Sequence, residues 1–343
     1  MRRLKTASTW HVATLVVICA TLVATASEAA ESKWRAPRTA DGVPDLQGIW
    51  TNASLTSLER DDMFKGKATM STAEVAEFER SNAFAQYSAQ DAKPSDPQAE
   101  ATASADPGGY NAFWLDPGTK LATVRGEVRT SFIIEPANGK IPYTPAGRGA
   151  FGSATLSMSF AGPETRALGE RCLMGFGSTG GPPMLPDAYN NNYQIVQTAD
   201  TIVILVEMVH DARIIRMRGQ HLPKRITPWL GDSIGHWEAD TLVVETTNLN
   251  PGQQAHYGIK QAFYLPRTAT VTERFTRVAP DEILYEFKVE DAAAYTQPWK
   301  GEVPMRATRE QIYEYACHEG NYALPGILAG ARKQERDAAA ASH

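Results

Sequence analysis

Between Tyr193 and Cys317 the chain is a succession of short segments in which apolar and polar residues alternate, separated by turn residues. Alternation with a period of two places the two sets of side chains on opposite faces of a β-strand. Within residues 283–290, for example, four apolar residues at the odd positions alternate with mostly polar ones. Strands that recur in this way without helices between them predict a mainly β fold, an antiparallel barrel or sandwich.

The alternation defines a predicted antiparallel β-domain that spans residues 110–330 and contains long loops. Ala199-Asp200 separates two of its strands by two residues, which is the length of a tight hairpin turn. We predict strands at residues 193–198, 201–209, 236–248, 270–278, 283–290 and 311–317.

Residues 1–26 have the pattern of a secretory signal peptide. Arg2, Arg3 and Lys5 precede an apolar stretch at residues 12–23, and small residues follow at 24–26. The apolar stretch is too short to span a bilayer as a stable helix. The sequence therefore predicts a periplasmic or secreted protein with no stable membrane anchor after cleavage.

Residues 27–109 are predicted to form an N-terminal extension. Ser71 and Glu74 have the spacing of a capping box, which predicts a helix over about residues 71–86. Residues 91–109 are rich in Ala, Ser, Asp, Pro and Gly and are expected to form a mobile linker. Residues 331–343 are expected to be a disordered tail.

Cys172 and Cys317 are the two cysteines that remain after signal cleavage, since Cys19 lies in the apolar stretch. An even pair far apart in an exported chain predicts a disulfide. His318 and Glu319 follow Cys317 directly, so a cysteine nucleophile or a metal thiolate stays open as an alternative.

Composition and motifs argue against nucleic acids and cofactors. The formal net charge is -5 and the chain has no basic cluster, so no nucleic-acid partner is predicted. Residues 175–180 match the letters of a dinucleotide-binding loop, but Pro182 and Pro183 follow where such a loop needs a helix. No histidine pair has the spacing of a helical metal site, so neither a cofactor nor a metal is predicted.

The first group of candidate site residues lies around position 210. Glu207, Asp211 and Arg213 share parity, so an inward-facing strand would place two carboxylates and a guanidinium in a cavity. His210 would then lie on the opposite face, unless the strand breaks at this point. The alternatives are a solvated surface or a structural ion pair of Arg213 with one of the two carboxylates.

The second group lies near the predicted disulfide, and in or beyond the long loop predicted at residues 147–192. His318 is the preferred general base and Glu319 its neighbour, because a disulfide at Cys317 would hold both in place. Asn191, Tyr193 and Trp229 are candidate ligand-binding residues, offering an amide and aromatic surface.

Six segments carry a resemblance: residues 44–51, Arg171-Cys172-Leu173, 190–193, 209–213, 237–246 and 314–322. On these segments the chain resembles a group of secreted bacterial proteins to which no activity is assigned. The resemblance covers most of the chain after the signal peptide and implies no reaction. A weaker similarity to lipocalin-like barrels rests on Gly48-Ile49-Trp50 and the strand meander, and implies a barrel that binds an apolar ligand or catalyses hydration or isomerisation.

Three functions are compatible with these patterns. The first is binding of a small, partly apolar molecule inside a barrel-like cavity. The second is a hydrolase or lyase in which His318 or a desolvated carboxylate moves protons and Arg213 stabilises negative charge. The third is a protein-interaction module with exposed aromatic residues. The sequence does not decide whether the protein is an enzyme, nor its oligomeric state.

Overall fold

The structure is a computed structural model that describes residues 34–82, 86, 115–156, 159–258, 260–319 and 321–341. The predicted signal peptide and the predicted linker lie outside the described residues. The strands are β1 Gly48–Thr51, β2 Thr69–Met70, β3 Thr123–Val124, β4 Glu127–Arg129, β5 Ile133–Glu135, β6 Asn192–Gln197, β7 Thr201–Val206, β8 Ala212–Arg216, β9 Asp232–Glu238, β10 Thr241–Thr247, β11 Ala255–Gly258, β12 Gln261–Tyr264, β13 Thr270–Ala279, β14 Glu282–Glu290 and β15 Trp299–Ala307. The helices among the described residues are α1 Thr72–Ser81, α2 Pro145–Leu156 and α3 Ala323–Ala341.

Nine of the strands form a closed barrel, which confirms the predicted mainly β fold. Their order is β1-β6-β7-β8-β9-β10-β13-β14-β15, and β15 pairs again with β1, where Trp50 lies opposite Ala307. Strand β5 adds to β15 outside this ring. Two smaller sheets, β2-β4-β3 and the hairpin β11-β12, lie apart from the barrel sheet.

One pairing differs from the antiparallel prediction. Strands β8 and β9 are parallel, with Ile215 opposite Ser233. The reason is the connection at residues 217–231, which carries the chain back to the end where β8 began. The barrel sheet is therefore mixed.

The interior of the barrel is filled by large side chains from alternate positions of the strands. Residues 283, 285, 287 and 289 of β14 are all buried, as their alternation predicts. Aromatic rings from other strands pack against them, including Phe275 on Tyr285 and Trp299 on Phe287. The predicted cavity inside the barrel is thus replaced by a packed core.

Strand β15 was not predicted from the sequence, because Gly301 and Pro304 are residues that disfavour strand interiors. The structure explains the glycine. A Cβ on Gly301 would lie 2.2 Å from the ring of Phe287, so only glycine lets β15 approach β14 this closely. A substitution here would force the barrel sheet apart.

Several predicted boundaries are corrected by the structure. The predicted extension supplies β1, so it is part of the barrel rather than separate from it. Residues 236–248 form parts of two strands because Ala239, with φ of 52°, turns the chain between them. Residues 311–317 form no strand, and α3 continues to Ala341 where a disordered tail was expected. Helix α1 has the predicted capping box but ends at Ser81.

Candidate functional site

The disulfide between Cys172 and Cys317 is present, with Cα atoms 5.5 Å apart, as predicted. It joins the long loop before β6 to the segment that follows β15. Asn321 strengthens this connection, because its side-chain amide donates to the Glu170 carbonyl at 3.1 Å. The loop on the Cys172 side is therefore held at a fixed position against the C-terminal segment.

A cleft of about 710 Å³ lies beside this loop. Its walls come from α2, from residues 164–177 of the long loop, from Trp229 and from the region of the β11-β12 hairpin. The helix and the loop wall are close in sequence, whereas Trp229 and the hairpin are distant from both and meet them only in the folded chain. We refer to this space as the cleft.

Aromatic side chains form one wall of the cleft. The ring of Tyr257 stacks on Phe151 of α2, with centroids 5.9 Å apart, and its hydroxyl lies 2.6 Å from the Thr155 hydroxyl. Tyr264 donates its hydroxyl hydrogen to the side chain of Gln254 at 2.8 Å. The indole of Trp229 is 42% exposed and lines the cleft without being covered. These rings offer an apolar surface with polar edges, which suits a partly apolar ligand.

His256 lines the cleft from the hairpin and is 2% exposed. Its ring stacks on Phe263 with centroids 4.5 Å apart, and its Nδ1 lies 3.0 Å from the Gly177 carbonyl oxygen. Burial lowers the pKa of His256 to about 4, although backbone groups of Gly177 and Gln253 act in the opposite direction. The imidazole is therefore neutral at pH 7.

Arg166 also lines the cleft, but its charge already has a partner. Its Nε and Nη2 each donate to one carboxylate oxygen of Glu170 at 2.8 Å. The guanidinium also lies over the ring of Phe160, 4.4 Å from the centroid. This arrangement stiffens the loop between Phe160 and Cys172.

Arg213, predicted to be catalytic, lies inside the barrel and is 2% exposed. Its Nη1 and Nη2 donate to the two carboxylate oxygens of Glu273 at 2.7 and 2.5 Å. Tyr285 donates a further hydrogen bond to Glu273 at 2.7 Å. The structural ion pair weighed for Arg213 is therefore formed, but with Glu273 instead of Glu207 or Asp211.

The predicted shared face of Glu207, Asp211 and Arg213 does not form. Strand β7 ends at Val206, and residues 208–210 form a 3₁₀ turn in which Val209 and His210 have positive φ. Buried Glu207 accepts hydrogen bonds from the Asn192 amide and the Tyr313 backbone. Asp211 accepts from the Gly175 backbone N–H at 3.0 Å, and His210 is exposed.

Asn191 and Tyr193 are both fully buried, and their polar atoms bond to the protein. The Asn191 amide accepts from the Asp187 backbone N–H and donates to the carbonyls of Asp116 and Asp187. The Tyr193 hydroxyl accepts from Asn52 and donates to the Thr179 carbonyl. Both side chains thus hold the long loop against the start of β6.

His318 and Glu319 are exposed beyond the disulfide and do not line the cleft. Trp229 alone of the predicted site residues lines it. His256, Arg166 and Arg171 were not selected as site residues from the sequence. No residue pattern shows that α2, this loop and the hairpin converge.

Comparisons with protein-family models, with curated proteins and with solved structures find no match to this chain. Among the described residues, no group of three His, Cys, Asp or Glu side chains is placed to hold a metal ion. A search of the same residues finds no helix with the length and apolar character needed to cross a membrane. The functional proposal therefore depends on the geometry of the cleft.

We expect replacement of Asp211 by Asn to stabilise the protein at alkaline pH. Burial raises the pKa of Asp211 to about 6, so between about pH 4 and 6 the folded chain holds a proton that the unfolded chain releases. The contribution of Asp211 to stability therefore falls as the pH rises through that interval. Asp211→Asn should add about 1–3 kcal/mol to the free energy of unfolding at pH 8, and much less at pH 4, measured by urea denaturation.

The matched control is Asp200→Asn, which changes an exposed carboxylate in the β6-β7 turn and should alter stability little at either pH. The contribution of His256 to the pH dependence of stability has the opposite sign. Because its pKa is lowered, the folded state gains stability as the pH rises from about 4 to 6.5. The free energy of unfolding of the Asp211→Asn variant should thus rise more steeply with pH than that of the wild type. An equal effect of the substitution at both pH values would contradict the burial of this carboxylate.

Proposed function

We propose that this protein binds a small, partly apolar molecule in the cleft between α2, the long loop, Trp229 and the β11-β12 hairpin. The observation that supports the proposal is the cleft itself. Its volume lies within the range of small-molecule sites, and aromatic side chains line it together with a few polar groups. The barrel acts as the rigid support for the elements that form these walls.

The packed interior of the barrel favours this location over the lumen. Buried rings and the Arg213–Glu273 pair occupy the inner face, so a ligand there would displace well-packed side chains at a large cost. The cleft, in contrast, leaves the Trp229 indole uncovered. Binding of an apolar group would remove that surface from water.

We also propose that the protein acts in the periplasm or outside the cell. The disulfide supports this, since such bonds persist in oxidising compartments. The basic and apolar pattern of residues 1–26 is a second, independent argument.

Filling the cleft should abolish ligand binding. Ala150 lines the cleft from α2, and Ala150→Phe would place a ring in the space. We expect at least a tenfold loss of affinity for the fluorescent probe 1-anilinonaphthalene-8-sulfonate, because the added ring excludes the naphthalene group. Titration of probe fluorescence measures the change.

Ala146→Phe is the matched control, because Ala146 is exposed on the same helix and does not line the cleft. This variant should bind the probe as the wild type does. Equal probe binding by both variants and the wild type would show that the cleft is not the binding site.

A further inference from the structure

We infer that the cleft is built for an aromatic carboxylate, with Arg171 as the residue that binds the acid group; this rests on the proposed binding function. The charges in the cleft walls and the aromatic surface beside them indicate this chemical class.

Among the described residues, three charged side chains line the cleft: Glu164, Arg166 and Arg171. The bidentate pair with Glu170 neutralises Arg166. Arg171 has no ion pair among the described residues, and its hydrogen bond is a long one, 3.5 Å from Nη1 to the Glu164 carbonyl. Arg171 is thus the cleft-lining cation whose N–H groups stay available to a ligand.

The carboxylate of Glu164 does not fill this role, because it folds back along its own loop. A Cβ built on Gly162 would lie 2.7 Å from Oε2 of Glu164, so the acid lies close to the Gly162 backbone. Gly162 is not part of the cleft wall. An acid that pairs with Arg171 within the cleft must therefore come from the ligand.

The backbone at Arg171 is held in place by hydrogen bonds and by the neighbouring disulfide. Its N–H donates to the Ala167 carbonyl at 3.2 Å, and the next residue, Cys172, is held by the disulfide and donates its own N–H to Gly169. Preorganised donors bind more tightly because less freedom is lost on association. A planar guanidinium matches a carboxylate with two parallel hydrogen bonds, and a half-buried site strengthens both.

The side chains of the cleft walls indicate the part of the ligand other than its acid group. Phe176, Trp229 and Tyr257 line the cleft and offer ring surfaces that favour a flat apolar group. His256 is neutral at pH 7, so it adds no second positive charge to the cleft. An aromatic ring that carries one carboxylate satisfies both the charged end and the apolar walls.

The test compares two probes of equal shape, naphthalene-2-carboxylate and naphthalene-2-carboxamide, by isothermal titration calorimetry at pH 7.5. We expect the wild type to bind the carboxylate about tenfold more tightly than the amide, since a charge-assisted bidentate contact contributes about this much at a half-buried site. Arg171→Gln should remove most of this difference by lowering the affinity for the carboxylate. Arg218→Gln, which removes one exposed cation outside the cleft wall, should keep it.

The outcomes separate the two proposals. Equal affinity of the wild type for both probes, or a preference that survives Arg171→Gln, would overturn the carboxylate assignment while leaving the cleft as a binding site. Failure of the wild type to bind either probe would count against the cleft as well. A wild-type midpoint in urea denaturation shows that Arg171→Gln is folded.

Discussion

Replacing Glu273 by Leu is expected to cost about 3–5 kcal/mol of folding free energy, because it leaves the buried Arg213 guanidinium without its counter-charge. Both side chains are almost completely inaccessible to water, and Tyr285 also loses its hydrogen-bond acceptor. The remaining partners of Arg213 are the hydroxyls of Ser233 and Thr246 at 3.4 Å, which carry no charge. Urea denaturation of the purified variant measures the loss.

The double variant Arg213→Met/Glu273→Leu is the decisive control. It removes both charges and supplies apolar side chains of similar size, so it should be more stable than either single variant by about 2 kcal/mol or more. Arg213→Met alone should resemble Glu273→Leu, because it leaves a buried carboxylate. Single variants that lose less than about 1 kcal/mol would mean that water reaches this pair.

Removing the disulfide is the second change for which a large effect is expected. The bridge spans 145 residues, and closing a loop of that length restricts the unfolded chain by about 5 kcal/mol in the loop-entropy treatment. Cys172→Ala/Cys317→Ala should lower the free energy of unfolding by up to this amount. Because Cys172 follows Arg171 directly, affinity for naphthalene-2-carboxylate should fall as well.

The wild type treated with reductant provides the comparison for this variant. Both should unfold at the same urea concentration, and that concentration should be lower than for the oxidised protein. If the double-alanine variant unfolded together with the oxidised wild type, the bridge would contribute nothing to stability.

The barrel itself is predictable from the sequence because it depends on local patterns. Strands β13 and β14 follow from the alternation of residues 270–290, and the β6-β7 hairpin follows from Ala199-Asp200. The disulfide follows from Cys172 and Cys317, the two cysteines left after the predicted signal cleavage. Each of these predictions depends on residues that are near one another in sequence, or on the two cysteines left after the predicted cleavage.

The partner of Arg213 could not be predicted, because it depends on strand order and register. Glu273 reaches Arg213 across the barrel interior from β13, which is not adjacent to β8 in the sheet. The parity argument for Glu207 and Asp211 also assumed one continuous strand, whereas the positive φ of Val209 and His210 breaks it. Periodicity is informative only while the strand continues.

The cleft was missed for a related reason. Its walls come from a helix, a glycine-rich loop and a hairpin whose positions are fixed by tertiary packing. Gly177 is an example of tertiary packing that the local sequence does not reveal. Its positive φ of 59° turns its backbone so that its carbonyl meets His256, a contact between residues far apart in the chain.

The pairing of β1 with β15 has a consequence for folding during synthesis. The ring of hydrogen bonds can close only after the ribosome has delivered Ala307, the residue that lies opposite Trp50. Until then β1 and β14 each expose a row of unsatisfied backbone groups, the surface on which neighbouring chains aggregate. Contacts between such distant residues also form slowly. An incomplete chain therefore exposes two strand edges that the closed barrel covers.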